Sequence, residues 1–414
     1  MKFRTLNDLD VRGKRVLVRE DLNVPMALRQ AQGDKSGAQG ALRQAQDDRV
    51  VADYTRIDAA IPTLRALLDR GARVVVLSHL GRPDGQVNPK YSLRPVAAAL
   101  SERLGTPVAF ADDCVGPQAQ AAVQALTDGS IVLLENVRFH KEEESNDPAF
   151  AKELASLGEL YVNDAFGTAH RAHASTEGVA HLLPNAAGLL MEAELAALAR
   201  LTAHPEHPYT CVIGGAKVKD KVGVFTFLMK VVDAFCVGGG MANTFLAARG
   251  TNVGRSLRDD DLGPAKQILE LAGHHDITLH LPVDAVVSTS FDNDAGAHVV
   301  DIENVGDSMI LDIGPKTAQA YAEVIRNAKT IVFNGPMGVY EKQAYQDGTR
   351  VVGAAIADAT RSGATSVVGG GDAAAAAHML GFADAMTHVS TGGGATLEFL
   401  EGRTLPGVAA LERS

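Results

Sequence analysis

Short apolar runs rich in β-branched residues alternate along the chain with longer runs rich in Ala and Leu. Strands separated by helices predict βαβ units, in which helices cover both faces of a parallel sheet. About eleven such strands over 414 residues favour an α/β fold of two doubly wound, Rossmann-like parallel-sheet lobes over one closed barrel. The clearest apolar runs lie at 15–19, 73–78, 131–134, 159–162, 210–213, 234–237, 277–281, 330–333, 366–368 and 386–390.

A change of pattern after Pro184 marks the predicted boundary between the two lobes. Residues 188–201 have the pattern of one long helix, and a polar loop containing proline follows them. We therefore predict a first lobe over 1–184 and a second lobe over 185–400 that begins with an interdomain hinge helix. The last residues, 401–414, are expected to pack back on the first lobe. A helix that lies wholly inside one lobe fits the same pattern equally well.

A direct repeat interrupts the first lobe. The run ALRQAQGD at 27–34 returns as ALRQAQDD at 41–48, with KSGAQG between the two copies. A polar, isolated repeat of this kind is typical of an inserted surface segment, which a fold tolerates because the entropy of loop closure grows slowly with length. We expect residues 27–48 to carry no chemistry of their own.

Composition and charge narrow the possible functions. The chain is 46% hydrophobic and 21% charged, with a net charge of −11. This balance is typical of a soluble globular protein and argues against nucleic acid or an anionic membrane as a partner. Cys114, Cys211 and Cys236 have no CxxC spacing, and we expect buried free thiols, which fit a reducing cytoplasm. We expect no signal peptide and no membrane span.

Glycine clusters follow four apolar runs of the second half, where a strand is expected to give way to a helix. Glycine lets backbone N–H groups approach an anion, and the start of a helix adds a positive field. Four such turns predict a polyphosphate site built from several loops. The chain has no GxxxxGK[ST], strand-linked GxGxxG or HRDxxxxN motif, so P-loop and protein-kinase interpretations lose their main support. The clusters are 214–215, 238–240, 369–371 and 392–394.

Charged residues accompany two of these turns. Lys217 and Lys221 are four positions apart at the expected start of a helix, so both are predicted to project from one face beside the 214–215 turn. There they could stabilise a transferring phosphoryl group, although a solvated lysine-rich helix start has the same spacing. Asp372 follows 369–371 and could cap a helix, help to hold Mg²⁺ on nucleotide phosphates, or do both.

Arginine, histidine and acidic side chains follow the predicted strands of the first half. The carboxyl ends of parallel strands meet at one edge of a sheet, where ligands bind. A single arginine is more often a surface ion-pair partner, but a converging set suits a phosphate and carboxylate substrate. The set comprises Arg19, Asp21, Asn23, His79, Arg82, Arg138, His170 and Arg171.

These motifs together resemble the phosphoglycerate kinase family. RxDxNVP, TRI, SHLGRP, LENVRFH, AFGTAHRAH, GGAKVKDK, FNGPMGVYE, VGGGD and STGGGA occur in this order. The resemblance covers essentially the whole chain outside 27–48. It implies a cytoplasmic, monomeric, glycolytic hinge-bending kinase that reversibly transfers the acyl phosphate of 1,3-bisphosphoglycerate to ADP. The products are 3-phosphoglycerate and ATP, Mg²⁺ is the cofactor, and in-line transfer follows domain closure.

The resemblance also implies roles for particular residues. The residues expected to bind the glycerate substrate are Asp21, Asn23, Arg56, His79, Arg82, Arg138, His170 and Arg171. Those expected to bind nucleotide are Lys217, Lys221, Gly314, Asn334, Glu341, Gly369, Gly370, Gly371 and Asp372, with Glu341 at the ribose and Asp372 on Mg²⁺ through the phosphates. The transferring phosphoryl group is expected to be stabilised by Arg56, Lys217 and the backbone N–H groups at Gly371 and Gly394.

Two other hypotheses compete with this one. The repeat lies between Asn23 and Arg56, and a strained loop there would misplace Arg56 and leave a catalytically impaired nucleotide-binding scaffold. The intact chemistry of Lys217, Asp372 and Arg171 argues against that hypothesis. The second rival is another small-molecule kinase that acts on a carboxylate or an acyl phosphate.

Overall fold

The computed structural model describes residues 3–28 and 49–412. It divides into two compact units, Met1–Ala193 with Thr404–Ser414 and Glu194–Arg403. The division lies inside the helix Leu189–Thr202, further along the chain than residue 184, and the last residues belong to the first unit. Two parallel-sheet α/β units confirm the predicted fold class.

The first unit is built on a six-stranded parallel sheet with the strand order β5-β6-β4-β1-β7-β8. A separate antiparallel pair is formed by β2 and β3. The strands are β1 (Arg15–Arg19), β2 (Met26–Leu28), β3 (Arg49–Val51), β4 (Arg73–Leu77), β5 (Val108–Ala111), β6 (Ile131–Leu134), β7 (Leu160–Asn163) and β8 (Asn185–Ala187).

Helices connect these strands and cover the sheet. Aliphatic side chains of β1 and β4 alternate between two buried layers, and Leu64 and Leu100 of the covering helices pack into one of them. The helices are α1 (Thr55–Asp69), α2 (Arg94–Leu104), α3 (Gly116–Gln124), α4 (Lys141–Glu144), α5 (Pro148–Ala155), α6 (Leu189–Thr202), whose first residues belong to this unit, and the C-terminal α14 (Pro406–Ala409).

The C-terminal segment is fixed to the first unit by backbone bonds. Gly407 N donates to Ala169 O at 2.9 Å, and Phe3 forms a β-bridge with Glu412. The segment therefore packs beside the loop that contains His170 and Arg171.

The antiparallel pair of β2 and β3 brings together the two chain segments that flank residues 29–48. Leu28 is paired with Arg49, and Ala52 N donates to Pro25 O at 2.9 Å. Residues 29–48, which hold most of the repeat, lie outside the described residues. The chain that returns from β3 enters α1 directly and carries Arg56 at its second position.

The second unit contains a six-stranded parallel sheet with the order β11-β10-β9-β15-β16-β17. It also contains a three-stranded antiparallel sheet with the order β13-β12-β14, which the sequence pattern did not predict. Strand β13 is largely exposed and therefore lacks a continuous apolar run. The strands are β9 (Tyr209–Ile213), β10 (Ala234–Val237), β11 (Thr278–His280), β12 (Asp284–Ser288), β13 (His298–Asp301), β14 (Met309–Ile313), β15 (Thr330–Asn334), β16 (Thr365–Val368) and β17 (His388–Val389).

The helices of the second unit pack on its parallel sheet through small and aromatic side chains. Phe333 of β15 contacts Phe382 edge to face, and Tyr321 lies fully buried between a helix and the sheet. The helices are α7 (Val222–Leu228), α8 (Gly239–Ala248), α9 (Gly263–His274), α10 (Pro315–Arg326), α11 (Asp347–Arg361), α12 (Gly371–Met379) and α13 (Gly394–Leu400). None of the described helices has the length and apolar character that crossing a bilayer requires.

Candidate active site

Basic and acidic side chains gather at the carboxyl edge of the first sheet, as the strand ends predicted. Asp21 follows β1 and Arg56 begins α1, and Arg56 Nη1 lies 2.7 Å from Asp21 Oδ2. The other carboxylate oxygen of Asp21 lies 4.0 Å from His79 Nδ1, beyond the end of β4. The chain on both sides of the repeat therefore meets at this edge.

Backbone contacts fix a second part of the same edge. Asn23 Oδ1 accepts a hydrogen bond from Gly81 N at 2.8 Å, and Arg138 Nη1 donates to Gly81 O at 2.9 Å. Arg138 Nε lies 3.4 Å from Glu144 Oε1. The loop after β4 is thus held between residues that follow β1 and β6.

The remaining predicted anion-binding residues differ in their contacts. Arg171 Nε donates to His170 Nε2 at 3.1 Å in the loop after β7. Arg82 is exposed beside Gly81, and no hydrogen bond or ion pair joins its side chain to the cluster in the described part of the chain. The exposed guanidinium is accessible to a ligand, but its contacts do not identify it as a ligand-binding group.

Arg19, the last residue of β1, lies buried beneath this edge of the sheet and contacts several of its residues. Its guanidinium is fully buried, and Nε donates to Ser175 Oγ at 2.8 Å. Nη1 donates to Glu20 O, and Nη2 lies 3.2 Å from His79 Nδ1. Ser175 Oγ in turn donates to the buried Glu143 at 2.6 Å. Arg19 therefore links the sheet edge to a buried carboxylate.

Burial and neighbouring arginines control the protonation of the histidines in this cluster. Burial, reinforced by Arg19 and Arg138, lowers the pKa of His79 well below its ordinary value. Burial and the same two arginines lower the pKa of His173 to about 3. Burial lowers the pKa of Arg138 to about 10, so the guanidinium stays charged at neutral pH. The histidines are therefore neutral, and the arginines carry the charge that an anion would meet.

The second unit contains a pocket of about 350 Å³ with a mainly apolar wall. Its carboxylates come from Asp312, Glu341 and Asp372. An apolar cavity with a few polar groups is the usual form of a small-molecule site. Other lining residues, which the sequence analysis did not single out, include Asn243, Leu257, Pro282, Phe291, Met309 and Ile310. Nothing in their sequence pattern distinguishes them from ordinary core and loop residues.

Two of the glycine turns are explained by close backbone packing. A Cβ atom at Gly214 would lie 1.9 Å from Pro336 O, and one at Gly239 would lie 2.8 Å from Gly215 O. Met241 N donates to Gly215 O at 3.1 Å. These turns therefore pack against each other and against the loop after β15, where a side chain would not fit. Gly215, Gly239 and Gly240 line the pocket.

Gly371 at the start of α12 and Gly393 before α13 are different because they face open space. A Cβ atom at Gly371 or Gly393 would have no neighbour within 4 Å. The cap of α12 is Gly370, so Asp372 lies in the first turn and the proposed N-cap role for it is wrong. Asp372 is exposed and lines the pocket. Gly394 begins α13, after a strand end where Thr391 N donates to Glu194 Oε1 at 2.7 Å.

The predicted helix start at Lys217 is wrong. Helix α7 begins at Val222, after a short turn, so Lys217 lies in the preceding loop. The reason is a long-range contact, because Val218 N and Lys219 N both donate to Asp259 Oδ2, at 2.8 and 3.2 Å. Lys217 is exposed and Lys221 is largely buried, so the two ammonium groups do not share a helix face.

Lys221 joins loops around the pocket. Its Nζ donates to Gly214 O at 2.9 Å, to Asn334 O at 2.7 Å and to Asn334 Oδ1 at 2.5 Å. Asn334 Nδ2 donates to Gly369 O at 2.7 Å. These bonds occupy all three ammonium hydrogens of Lys221. Burial lowers the pKa of Lys221 to about 8.

Gly314 follows the lining residue Ile313 but does not itself line the pocket. It caps α10, and a Cβ atom there would lie 2.2 Å from the carboxylate carbon of Asp284. Asp284 is bonded to the first turn of the same helix, through Lys316 N and Thr317 N. The close approach of the Asp284 carboxylate to the start of α10 is therefore sufficient to explain why residue 314 is glycine.

The fold and the two sites define a class: a two-unit α/β protein. One unit has a cluster of arginine and histidine side chains that could bind an anion, and the other unit has a pocket that could bind a small molecule. The sequence profile of the phosphoglycerate kinase family matches residues 6–403. The chain is 51% identical over 416 residues to the phosphoglycerate kinase of Chloroflexus aurantiacus, covering 100% of this chain and 99% of that protein. It is 49% identical over 414 residues to that of Chlorobium phaeovibrioides, covering 99% of this chain and 100% of the relative.

A solved structure agrees with these relatives. The phosphoglycerate kinase of Coxiella burnetii superposes with a TM-score of 0.86 at 40% identity, covering 99% of each chain. The chain therefore belongs to the phosphoglycerate kinase family.

Proposed function

We propose that this protein is a glycolytic kinase that reversibly transfers the acyl phosphate of 1,3-bisphosphoglycerate to ADP, giving 3-phosphoglycerate and ATP. The observation that carries the proposal is the pocket of the second unit, whose mainly apolar wall ends at Asp372 and the open start of α12. An apolar surface suits a nucleobase, and a helix N-terminus suits its phosphates. Family membership supports the same reaction.

The cluster of arginine and histidine side chains in the first unit is proposed to bind the glycerate substrate. Arg56, Arg138 and Arg171 are suited to its phosphate and carboxylate, since guanidinium groups bind such anions bidentately. Asp21 orients Arg56, and Asn23 fixes the loop that precedes Arg82. His79 and His170 complete the proposed set, and the lowered pKa of His79 suits a neutral hydrogen-bonding group.

The nucleotide is proposed to lie along the pocket of the second unit. Glu341 lies in the wall and is proposed to accept hydrogen bonds from the ribose hydroxyls. The turn at Gly369, Gly370 and Gly371, before and at the start of α12, is proposed to bind the phosphates. Lys221 and Asn334 hold that turn from behind. Gly314 is proposed to act only through packing of α10.

Mg²⁺ is the proposed cofactor. Asp372 offers one exposed carboxylate at the pocket, and Mg²⁺ is usually bound by one or two carboxylates together with substrate phosphates. The residues therefore fit the ion. When bound, it would neutralise charge on the nucleotide phosphates.

The transfer step is proposed to need no general base. The nucleophile is already an anionic oxygen of ADP, and an acyl phosphate has a good leaving group. Lys217, Arg56 and the N–H groups of Gly371 and Gly394 are proposed to stabilise the charge of the transferring group. In-line transfer is proposed to follow closure of the two units, which excludes water. No observation favours an impaired scaffold, and we propose a monomer that works in the cytoplasm.

The test is ATP consumption that depends on both 3-phosphoglycerate and Mg²⁺, coupled to reduction of the 1,3-bisphosphoglycerate formed. Acetate, glycerate and aspartate serve as alternative acceptors. A rate with 3-phosphoglycerate at least about 100-fold above the others is expected, because a site built to bind a charged group strongly rejects analogues that lack it. Equal rates with another carboxylate would favour a different small-molecule kinase.

Replacing residues 29–48 by Asn-Gly is expected to leave kcat and KM within about two-fold. Leu28 and Arg49 are paired at the end of an antiparallel pair, and Asn-Gly forms a two-residue turn that joins such strands. The same coupled assay measures the effect. An inactive full chain with an active shortened variant would mean that the repeat impairs the Arg56 side of the site. If both chains were inactive, the result would support the hypothesis of a catalytically impaired nucleotide-binding scaffold.

Nucleotide binding at pH 8 is expected to take up about half a proton. Lys221 has a pKa of about 8 instead of 10.5, so about half of the molecules carry the neutral amine at that pH. Nearby phosphates favour the ammonium form and raise its pKa again, whereas at pH 6.5 the group is already protonated. Calorimetry of ADP binding in buffers of different ionisation enthalpy measures the uptake at both pH values.

Lys221→Arg is the control for this measurement, because a guanidinium stays protonated throughout the range. The uptake at pH 8 should vanish in that variant. Uptake that is equal in both proteins would assign the proton to another group.

A further inference from the structure

Three potential metal ligands meet at the outer edge of the first sheet, outside the sets proposed above. Asp113 and Cys114 follow β5, and His140 follows β6 after one short turn. These two parallel strands are neighbours at the end of the sheet. A carboxylate oxygen, the Cys114 Sγ and a ring nitrogen of His140 all lie within 4.8 Å of one another. In the described part of the chain, no other three such groups come this close.

The spacing of the three groups is near that of a zinc site. Zinc binds Cys sulfur at about 2.3 Å and His nitrogen or carboxylate oxygen at about 2.0–2.2 Å, so its ligand atoms lie about 3.3–3.7 Å apart in a tetrahedron. His140 Nε2 and Asp113 Oδ1 are now 2.7 Å apart and would separate slightly. The sulfur lies within 4.8 Å of the other two ligand atoms, and side-chain rotation can bring it to the distance that a shared ion requires.

Burial differs among the three groups in a way that suits a bound ion. Cys114 is fully buried, whereas the side chains of His140 and Asp113 are 29% and 42% exposed. An ion can therefore enter between the two exposed groups and meet the sulfur behind them. A water molecule would complete the fourth position from the same side.

Charge at this position favours a dication over an isolated thiolate. Cys114 is fully buried beside the Asp113 carboxylate, so a thiolate there needs a neighbouring cation. A divalent ion with one thiolate, one carboxylate and one neutral imidazole has no net charge, and the ion favours loss of the thiol proton.

Neighbouring contacts already orient two of the ligands. The backbone N–H of Cys114 donates to Asp113 Oδ1 at 2.7 Å, which fixes the carboxylate. The His140 ring packs on Phe150 with the ring centroids 5.1 Å apart. Ligands that are held by a surrounding shell lose less entropy when a metal binds.

We infer that Asp113, Cys114 and His140 form a binding site for one divalent transition-metal ion of the zinc class, which clamps the ends of β5 and β6 together. Binding releases the Cys114 thiol proton to solvent, so affinity rises with pH. Mg²⁺ does not compete, because it prefers oxygen ligands and near-ideal octahedral geometry. The site is independent of the proposed catalytic reaction.

Co²⁺ titration of the full, chelator-treated chain without nucleotide tests this inference. One Co²⁺ per chain should bind with a near-ultraviolet sulfur-to-cobalt band and visible bands of tetrahedral cobalt, and Zn²⁺ should displace it. The C114S variant should lose the sulfur band. His140→Gln and Asp113→Asn should each weaken binding at least about tenfold, as loss of one metal-site group does.

His181→Gln is the matched control, because His181 also lies close to a carboxylate, 2.5 Å from Glu177 Oε1, but has no thiol in its ion pair. Its titration should equal that of the unmodified chain. Circular dichroism establishes that each variant is folded. If C114S does not fold, the Co²⁺ affinities of His140→Gln and Asp113→Asn, which both retain Cys114, still test the inference. Absence of the sulfur band in the unmodified chain, or its survival at unchanged affinity in both His140→Gln and Asp113→Asn, would overturn the inference.

Discussion

Replacing Lys217 by alanine is expected to lower kcat by about 100- to 1000-fold, the range seen when one group that stabilises transition-state charge is removed. Lys217 follows Gly215 and Ala216, which line the pocket of the second unit. Its ammonium group is exposed and has no hydrogen bond or ion pair in the described part of the chain, so it is available to a ligand. Steady-state kinetics of the coupled reaction measure the loss.

Protein stability should remain within about 0.5 kcal/mol in this variant, since an exposed side chain without contacts contributes little to folding. Lys219→Ala is the matched control. Lys219 is exposed two positions further along, and its role in the loop is a backbone bond to Asp259. Its kcat should stay within about two-fold of the original value. An unchanged kcat in Lys217→Ala would remove Lys217 from the transfer step.

Replacing Arg19 by methionine is expected to destabilise the first unit by about 3–5 kcal/mol, the cost of removing one partner from a buried ionic network. Arg19 donates to Ser175 Oγ, which donates to Glu143 Oε1, and Ser175 N donates to Glu143 Oε2 at 2.8 Å. Burial raises the pKa of Glu143, and the Arg19 charge is the largest influence that lowers it. Without Arg19 the carboxylate must take up a proton or remain charged in an apolar interior. Urea unfolding followed by circular dichroism measures the change.

Arg15→Met on the same strand is the control for Arg19→Met. Arg15 is 37% exposed and lies 3.4 Å from Glu159, so its loss should cost less than about 1 kcal/mol. Adding Glu143→Gln to Arg19→Met should recover part of the lost stability, because no buried charge is then left without a partner. Equal effects of the Arg15 and Arg19 substitutions would contradict the proposed network.

The fold was largely predictable because the buried parallel strands are short apolar runs with helices between them. The strand β1, for example, is the run RVLVR, and it lies at 15–19 as predicted. Strand β13 was missed because its exposed face breaks the apolar pattern that marks a buried strand. The helix expected at Lys217 was wrong because Asp259, far along the chain, binds the backbone at 218–219.

The site was predictable where chemistry coincides with a strand end. Asp21, His79 and Arg138 could be recognised because parallel strands place their carboxyl ends at one edge. The apolar wall of the pocket could not be recognised, since Leu257 and Ile310 have the same sequence character as core residues. Likewise, Gly214 and Gly239 have the pattern of phosphate-binding turns, although direct contact between backbones also requires glycine there.

The sequence by itself determined the class of fold, the family and the residues able to bind anions, because periodicity and residue chemistry are local properties. Only the tertiary structure decided which of these residues meet. It exposed Lys217 and tied the half-buried Lys221 to Asn334, it made Gly370 the helix cap in place of Asp372, and it joined Arg19 to Glu143 through Ser175. Such contacts link positions far apart in the chain, and their burial and geometry follow from packing.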